Sequence, residues 1–289
     1  MNTVAWFGTG LMGSGFVEAL CRRGEDVVVF NRTAAKAKAL EVFGARAVSP
    51  ARDAARGRKR IHIMIDEDAS VDALLDEIAE AIDADAIVID HTTVAPHPTI
   101  ARFAKMAERQ IAFVHAPVFM SPQAARTAGG VMMVAGPQAT FERVRADLEK
   151  MTAHLWYVGE RVDKAATLKL VGNEMLFSIA AALADGYAIG AGAGLTPSET
   201  FEVFEHFKPA GALDARGKAM AEGKFEPAAF ELTMARKDAR LMLETAAAGH
   251  ANVHVLPAIA ARMDALIAAG FGARDLAVLG LETARAASR

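Results

Sequence analysis

The feature that most constrains this chain is the turn Gly8-Thr9-Gly10-Leu11-Met12-Gly13, set between an apolar run at residues 3–7 and a stretch through Phe16, Val17 and Leu20 with helical spacing. Glycines at these positions let the backbone turn tightly and keep β-carbons away from the place where N–H groups and a helix N-terminus can meet a pyrophosphate. The third glycine also lets helix and strand pack closely. Strand, turn and helix in this order open the first βαβ unit of a dinucleotide-binding sheet. Gly8, Gly10, Leu11, Met12 and Gly13 are therefore cofactor-binding candidates.

The rest of the chain extends this pattern and then abandons it. Short, mostly apolar runs at residues 3–7, 26–30, 61–65, 86–90, 111–115, 131–135 and 155–158 read as strands buried on both faces. Stretches at 33–43, 70–82 and 99–110 carry apolar residues at three-to-four spacing and read as crossover helices. Together they predict a Rossmann-type, doubly wound, mostly parallel sheet. After Gly159 the strand signals stop. Residues 164–193 form one long helical stretch that is apolar on nearly every face, and Thr196 with Pro197 marks the start of the next helix. Further helices are expected around residues 227–248 and 252–269. The predicted fold class is α/β: a dinucleotide-binding domain at residues 1–160, then an all-α domain at 161–289 for substrate and dimerisation, entered by a long interdomain helix. A helix apolar all round needs cover from every side, so a homodimer or homotetramer is expected.

Composition bounds the partners. A net charge of −3, from 32 basic and 35 acidic residues, gives no positive field for nucleic acid. The lone Cys21 cannot form an internal disulfide, and residues 1–6 lack the basic end and apolar run of a secretory signal, so a cytoplasmic protein is expected. Residues 175–195 have the length of a membrane span, but Asp185 and four glycines within it point to a buried soluble helix and no membrane partner. His91, His97 and His115 show no metal-ligand spacing, so no metal is expected; His91 and His115 are candidate cleft-lining or pH-sensing groups.

The end of the second strand indicates which dinucleotide. Where an NAD site carries Asp or Glu, this chain has Asn31-Arg32-Thr33. No carboxylate there repels a 2′-phosphate, Arg32 can pair with it, and Asn31 and Thr33 can donate hydrogen bonds, so NADP is the expected cofactor. Met64, in the third predicted strand, is a further cofactor-binding candidate.

With the glycine turn, four segments resemble the β-hydroxyacid dehydrogenase family, which includes 3-hydroxyisobutyrate dehydrogenase and the glyoxylate and succinic semialdehyde reductases. Asp90-His91-Thr92-Thr93-Val94-Ala95-Pro96 is similar to the family's Asp-x-Ser-Thr-Val-x-Pro, which implies that Thr92 and Thr93 border the nicotinamide. Lys169-Leu170-Val171-Gly172-Asn173 is similar to its catalytic Lys-x-x-x-Asn; four residues apart on a helix, the two side chains share a face. The resemblance implies that Lys169 passes a proton to or from the substrate oxygen and that Asn173 holds the amine or substrate in place. Lys237-Asp238 resembles a Lys-Asp pair whose lysine contacts the cofactor side of the cleft; adjacent on a helix, the two are not expected to form one local salt bridge.

Two segments depart from the family. Where it has Asp-Ala-Pro-Val-Ser-Gly-Gly for a substrate carboxylate, this chain has His115-Ala116-Pro117-Val118-Phe119-Met120-Ser121-Pro122-Gln123. Either Ser121 and Gln123 hold the anion differently, or Phe119 and Met120 wall a less polar substrate. Before the lysine, Arg161-Val162-Asp163-Lys164 replaces a glycine-containing turn and shifts the start of the long helix. The reading that results is an NADP-dependent oxidoreductase moving hydride between the nicotinamide and a small 3-hydroxy acid, aldehyde or semialdehyde. The alternatives are an imine reductase-like enzyme with an apolar pocket, and a non-catalytic NADP-binding module.

Overall fold

The computed structural model describes residues 3–282; the first two residues of the predicted first domain and the last seven of the second lie outside them. In chain order the strands are β1 (Thr3–Phe7), β2 (Asp26–Phe30), β3 (Arg46–Ala47), β4 (Arg60–Ile63), β5 (Ile87–Asp90), β6 (Ala112–His115), β7 (Val118–Phe119), β8 (Val131–Ala135) and β9 (His154–Gly159). The helices of the same region are α1 (Leu11–Arg22), α2 (Ala34–Lys38), α3 (Ala51–Ala55), α4 (Asp68–Ile78), α5 (Pro96–Glu108), α6 (Pro122–Arg126) and α7 (Gln138–Leu148). The remainder is helical: α8 (Lys164–Gly192), α9 (Pro197–His206), α10 (Ala212–Glu222), α11 (Leu232–Ala248) and α12 (Leu256–Leu266). Two compact units divide between Asn173 and Glu174, inside α8.

The strands of the first unit form one sheet in the order β3-β2-β1-β4-β5-β6-β8-β7, with β9 beside β8. β1 pairs in parallel with both β2 and β4, so the strand order reverses at β1 and opens a crevice at the carboxyl ends of β1 and β4. Alternation along the strands feeds two cores. Val4, Trp6, Val27, Val29, Ile87 and Ile89 enter one layer with Phe16 and Leu20 of α1. Ala5, Phe7, Val28, Ile61, Ile63 and Val88 enter the other with Leu75 and Ile78 of α4. Both faces are covered, which is why these runs are apolar throughout.

The parallel pattern ends at β8, which runs antiparallel to β6 and β7. A chain that folds back through β7 and the short α6 makes no crossover, and nothing in the apolar runs distinguishes that. β9, at the sheet's edge, departs from the expected two-sided burial: His154 and Trp156 are exposed while Val158 is buried. The predicted strand at 61–65 ends at Ile63, and Met64 and Ile65 line the crevice instead.

In the second unit, Phe225, Leu232, Ala235, Ala239, Ala260, Met263 and Leu266 share a core with Ala277 and Val278 of a closing turn. Asp185, buried midway along α8, accepts hydrogen bonds from the backbone N–H groups of His254, Val255 and Leu256 at 2.7–2.9 Å. These are the donors that the start of α12 leaves without a side-chain cap of its own. Burial opposes the Asp185 charge, but the three N–H groups hold its carboxyl below the usual range. Thr196 and Glu199 form a reciprocal capping box at the start of α9, as the sequence suggests.

α8 corrects one expectation. Among the described residues it is the one helix long and apolar enough to cross a membrane, yet only 11% of its most apolar stretch is buried. Val171, Leu176 and Phe177 are exposed. Within a single chain the helix is not the buried core helix that its composition predicts.

Candidate active site

The turn after β1 is built by sterics. Gly8 has φ +94°, and a β-carbon there would overlap the Met64 carbonyl oxygen; one on Gly13 would overlap the carbonyl oxygen of Gly8. Gly10 differs, since its β-carbon direction opens on empty space. It precedes α1, whose first turn carries no side-chain cap. Free N–H groups and bare backbone therefore face the crevice, the cradle that a dinucleotide's pyrophosphate requires.

Side chains brace this turn from below. The Trp6 indole donates to the Gly8 carbonyl at 2.9 Å. Asn31 accepts from the Thr9 N–H at 3.1 Å and donates to the Thr33 carbonyl at 3.0 Å. Asn31 thus clamps the turn to the end of β2 and keeps a second amide N–H for a ligand in the cavity it lines. Arg32 projects into solvent with its side chain 87% exposed, and its guanidinium lies 3.7 Å from the Asp66 carboxylate. A carboxylate does stand beside the expected 2′-phosphate position, supplied by the loop after β4. The Ser70 hydroxyl foremost, with Arg32 contributing, holds the Asp66 carboxyl below its ordinary range.

A cavity of about 920 Å³ extends from this turn. Its lining includes Gly8, Gly10, Leu11, Met12, Gly13, Asn31, Arg32, Thr33, Met64, Thr92, Thr93, Met120 and Lys169, so most of the sequence candidates come together. The volume lies in the range of cofactor and ligand sites. Lys36, Asp66, Ser70 and Glu77 also line it.

The Thr92–Thr93 loop is held by buried polar groups. Asp90 accepts from the Thr92 N–H at 2.9 Å, the Thr92 hydroxyl accepts from the Ile65 N–H at 3.2 Å, and a His115 ring nitrogen meets the Thr92 carbonyl at 3.0 Å. Thr92 does not cap α5, and its side chain is instead a hydrogen-bond partner of the Asp90 carboxylate. Arg102, anchored to Asp72 and Asp68 at 2.7 and 2.9 Å, lies 3.8 Å from Asp90. Burial pushes the Asp90 carboxyl up despite these neighbours.

Behind the loop, Trp6, Phe16, His62 and His91 stack with ring centroids 5.0–5.8 Å apart. His91 Nδ1 lies 2.7 Å from the Ala116 carbonyl, which can only accept, so that nitrogen carries the proton and Nε2 accepts from His62 Nδ1 at 2.9 Å. Burial lowers His91 to about 4 and lowers His62 and His115 as well. Burial, by disfavouring the charged ring, counts against a pH-sensing role for His91 and His115. His91 does line the cavity.

At the far end stand Lys169 and Asn173, on one face of α8. Lys169 Nζ donates to Asn173 Oδ1 at 2.9 Å, and its ammonium lies 4.2 Å from the centroid of the Phe119 ring. Burial alone accounts for the lowering of the Lys169 ammonium below its ordinary value. Met120 lines the cavity beside it, whereas Ser121 caps α6 by accepting from the Ala124 N–H, and neither Ser121 nor Gln123 reaches the lining. Lys237 belongs to the second unit, half exposed on α11, and pairs with Asp238 at 2.7 Å. That pair contradicts the expectation from helix geometry: a four-carbon stem is long enough to curl back to its neighbour.

Trp6, His62 and Asp66 are among the site residues missed in the sequence, with Lys36, Ser70 and Glu77 of the lining. A tryptophan in a buried strand needs an acceptor for its N–H, and Asp66 follows a strand end at the crevice; both are signals. The stacking partner His62 carries none.

Comparison with known proteins agrees with this geometry. Residues 3–159 match the NAD binding domain of 6-phosphogluconate dehydrogenase, and residues 164–280 match the NAD-binding family of NADP-dependent 3-hydroxyisobutyrate dehydrogenase. An uncharacterised oxidoreductase of Bacillus subtilis is 28% identical over 96% of this chain and 98% of its own length. Glyoxylate/succinic semialdehyde reductase 2 of Arabidopsis thaliana is 28% identical over 83% of this chain and 68% of its own. The imine reductase of Myxococcus stipitatus in complex with NADP+ shares the fold with a TM-score of 0.88, at 21% identity over 96% of this chain and 98% of that one. The chain belongs to the β-hydroxyacid dehydrogenase family and is an NAD(P)-dependent oxidoreductase.

Proposed function

We propose that the protein uses NADP(H) to interconvert a small aldehyde, semialdehyde or oxo acid with its alcohol or 3-hydroxy acid, with Lys169 moving the proton. The observation that carries this reading is the placement of the Lys169 ammonium on the cavity that begins at the glycine turn, 2.9 Å from Asn173 and partly desolvated. A bound nicotinamide dinucleotide supplies the hydride or takes it up. The uncapped start of α1 holds the pyrophosphate, Thr92 and Thr93 border the nicotinamide, and Arg32 pairs with the 2′-phosphate. Lys169 gives its proton to the carbonyl oxygen in reduction, and desolvation, by favouring the neutral amine, eases that transfer. Reduction is the favoured direction, since a 2′-phosphate site suits an enzyme supplied with NADPH.

Residues 1–160 are proposed as the cofactor domain, and 161–289 as the substrate and dimerisation domain of a cytoplasmic protein. Leu11, Met12, Val118 and Met120 give the cavity an apolar lining that also suits an uncharged imine, which keeps imine reduction as the second reading.

Purified protein with NADPH and a panel of semialdehydes, ketones and cyclic imines tests the proposal by loss of reduced-cofactor absorbance. Lys169→Ala is expected to lower kcat by roughly 10²- to 10⁴-fold with the NADPH Kd nearly unchanged. Turnover equal to wild type would remove Lys169 from the reaction. Tight NADPH binding with no turnover of any carbonyl or imine would instead make the protein a cofactor-binding module.

A further inference from the structure

Lys169, Gly172 and Asn173 lie at positions i, i+3 and i+4 of α8 and so share a face. Gly172 leaves that face bare. The ring of Phe119 fills the space: a β-carbon on Gly172 would overlap the ring's Cζ and lie 2.7 Å from Cε1. Phe119 is fixed from the other side by its pairing with Val131 in the β7–β8 ladder and by packing against Met133, Ala135, Val158 and Ala165. The ring therefore sits beneath the Lys169 ammonium, 4.2 Å from its centroid, for reasons independent of the lysine.

An ammonium has three N–H groups. One is given to Asn173 Oδ1. The π face of Phe119 attracts the cation and occupies a second direction. One N–H is left for the cavity, which Lys169 lines.

We propose that Phe119 is a positioning residue for Lys169, its ring fixing the ammonium so that a single N–H is presented to one substrate oxygen. This rests on the assignment of Lys169 as proton donor. The flexible lysine stem has several rotamers, and an aromatic face under its head removes most of them before substrate arrives. The consequence is a fixed donor direction suited to a lone carbonyl oxygen. A carboxylate offers two oxygens and is gripped best by a donor with two free N–H groups, which this arrangement withholds.

The test uses the full-length protein with Phe119→Leu, and separately with pentafluorophenylalanine at position 119, which keeps the ring's shape but reverses its quadrupole. The Lys169 ε-methylene signal, assigned by its absence in Lys169→Ala, is expected upfield of the other lysines in the wild type and to lose that displacement in Phe119→Leu. With the best substrate of the panel, kcat is expected to fall roughly 2- to 30-fold in both variants, with KM and the NADPH Kd nearly unchanged. An unshifted ε-methylene signal in the wild type, or kcat unchanged in both variants while Lys169→Ala is inactive, would overturn this proposal alone. Full activity of Lys169→Ala would overturn the proton-donor assignment and this proposal with it. If Phe119→Leu fails to fold, the fluorinated protein decides.

Discussion

The proposed preference for NADP turns on single side chains around Arg32. Its guanidinium is exposed and held loosely by Asp66 at 3.7 Å. An exposed, solvent-screened pair of this kind is weak, so a 2′-phosphate would displace the carboxylate at small cost. Arg32→Ala is expected to raise the Kd for NADPH by about tenfold or more and to leave that for NADH nearly unchanged. Asp66→Asn, which removes the competing charge, is expected to tighten NADPH binding by a factor of about 2–5. Titrating both nucleotides by fluorescence measures both effects; equal losses for NADPH and NADH in Arg32→Ala would contradict 2′-phosphate selection. At this scale the sequence was informative where a motif fixes spacing. Lys169, the three glycines of the turn and Thr92 all reach the cavity as expected, with Asn173 bound to Lys169 outside the lining. Trp6 and Asp66 left local signals that went unused, whereas His62 acts by ring stacking across strands, which no local pattern records. Asn31 lines the cavity as expected, and its further role, accepting from the Thr9 N–H across 22 residues, is one that no local pattern records.

Among the elements, the start of α12 depends on a carboxylate from another helix. Asp185 on α8 satisfies three N–H groups of residues 254–256, so α8 is joined to the start of α12 by charge-assisted hydrogen bonds. Asp185→Ala leaves buried donors without partners and is expected to cost about 2–4 kcal/mol of unfolding free energy, measured by denaturant titration. A loss below about 0.5 kcal/mol, the level of an ordinary surface change, would contradict an anchoring role. Strands β1, β2 and β8 were legible residue for residue, because two-sided burial demands continuous apolar runs and glycines or charges bound them. Less legible was direction. The antiparallel β8 follows from a short fold-back through β7, a two-residue strand that no periodicity can reveal. The helix α10 also went unread, since Gly217 and scattered charges blur its apolar stripe and none of its residues is buried.

At the scale of the molecule, the exposed apolar residues of α8 are the unresolved surface. Val171, Leu176, Phe177 and Ile179 are exposed around this helix, apolar surface in want of cover, and Asp185 in the same helix is spent on backbone N–H groups rather than on water. The account proposes that a second copy of the chain covers it. Light scattering is expected to give at least twice the 30.6 kDa chain mass, and Phe177→Glu is expected to shift that value toward the monomer. A monomeric wild type at micromolar concentration would contradict it. The sheet, the switch point and the lysine face then combine into the proposed scheme: a crevice for the nucleotide, and a helix face that would hold the proton donor beside it. The measurement that tests this most directly is a crystal structure with NADP and a trapped carbonyl or alcohol ligand. The account predicts Lys169 Nζ within hydrogen-bond reach of the ligand oxygen, roughly 2.6–3.2 Å, with Asn173 still bound to it; Nζ turned away into solvent, with another group at that oxygen, would contradict it.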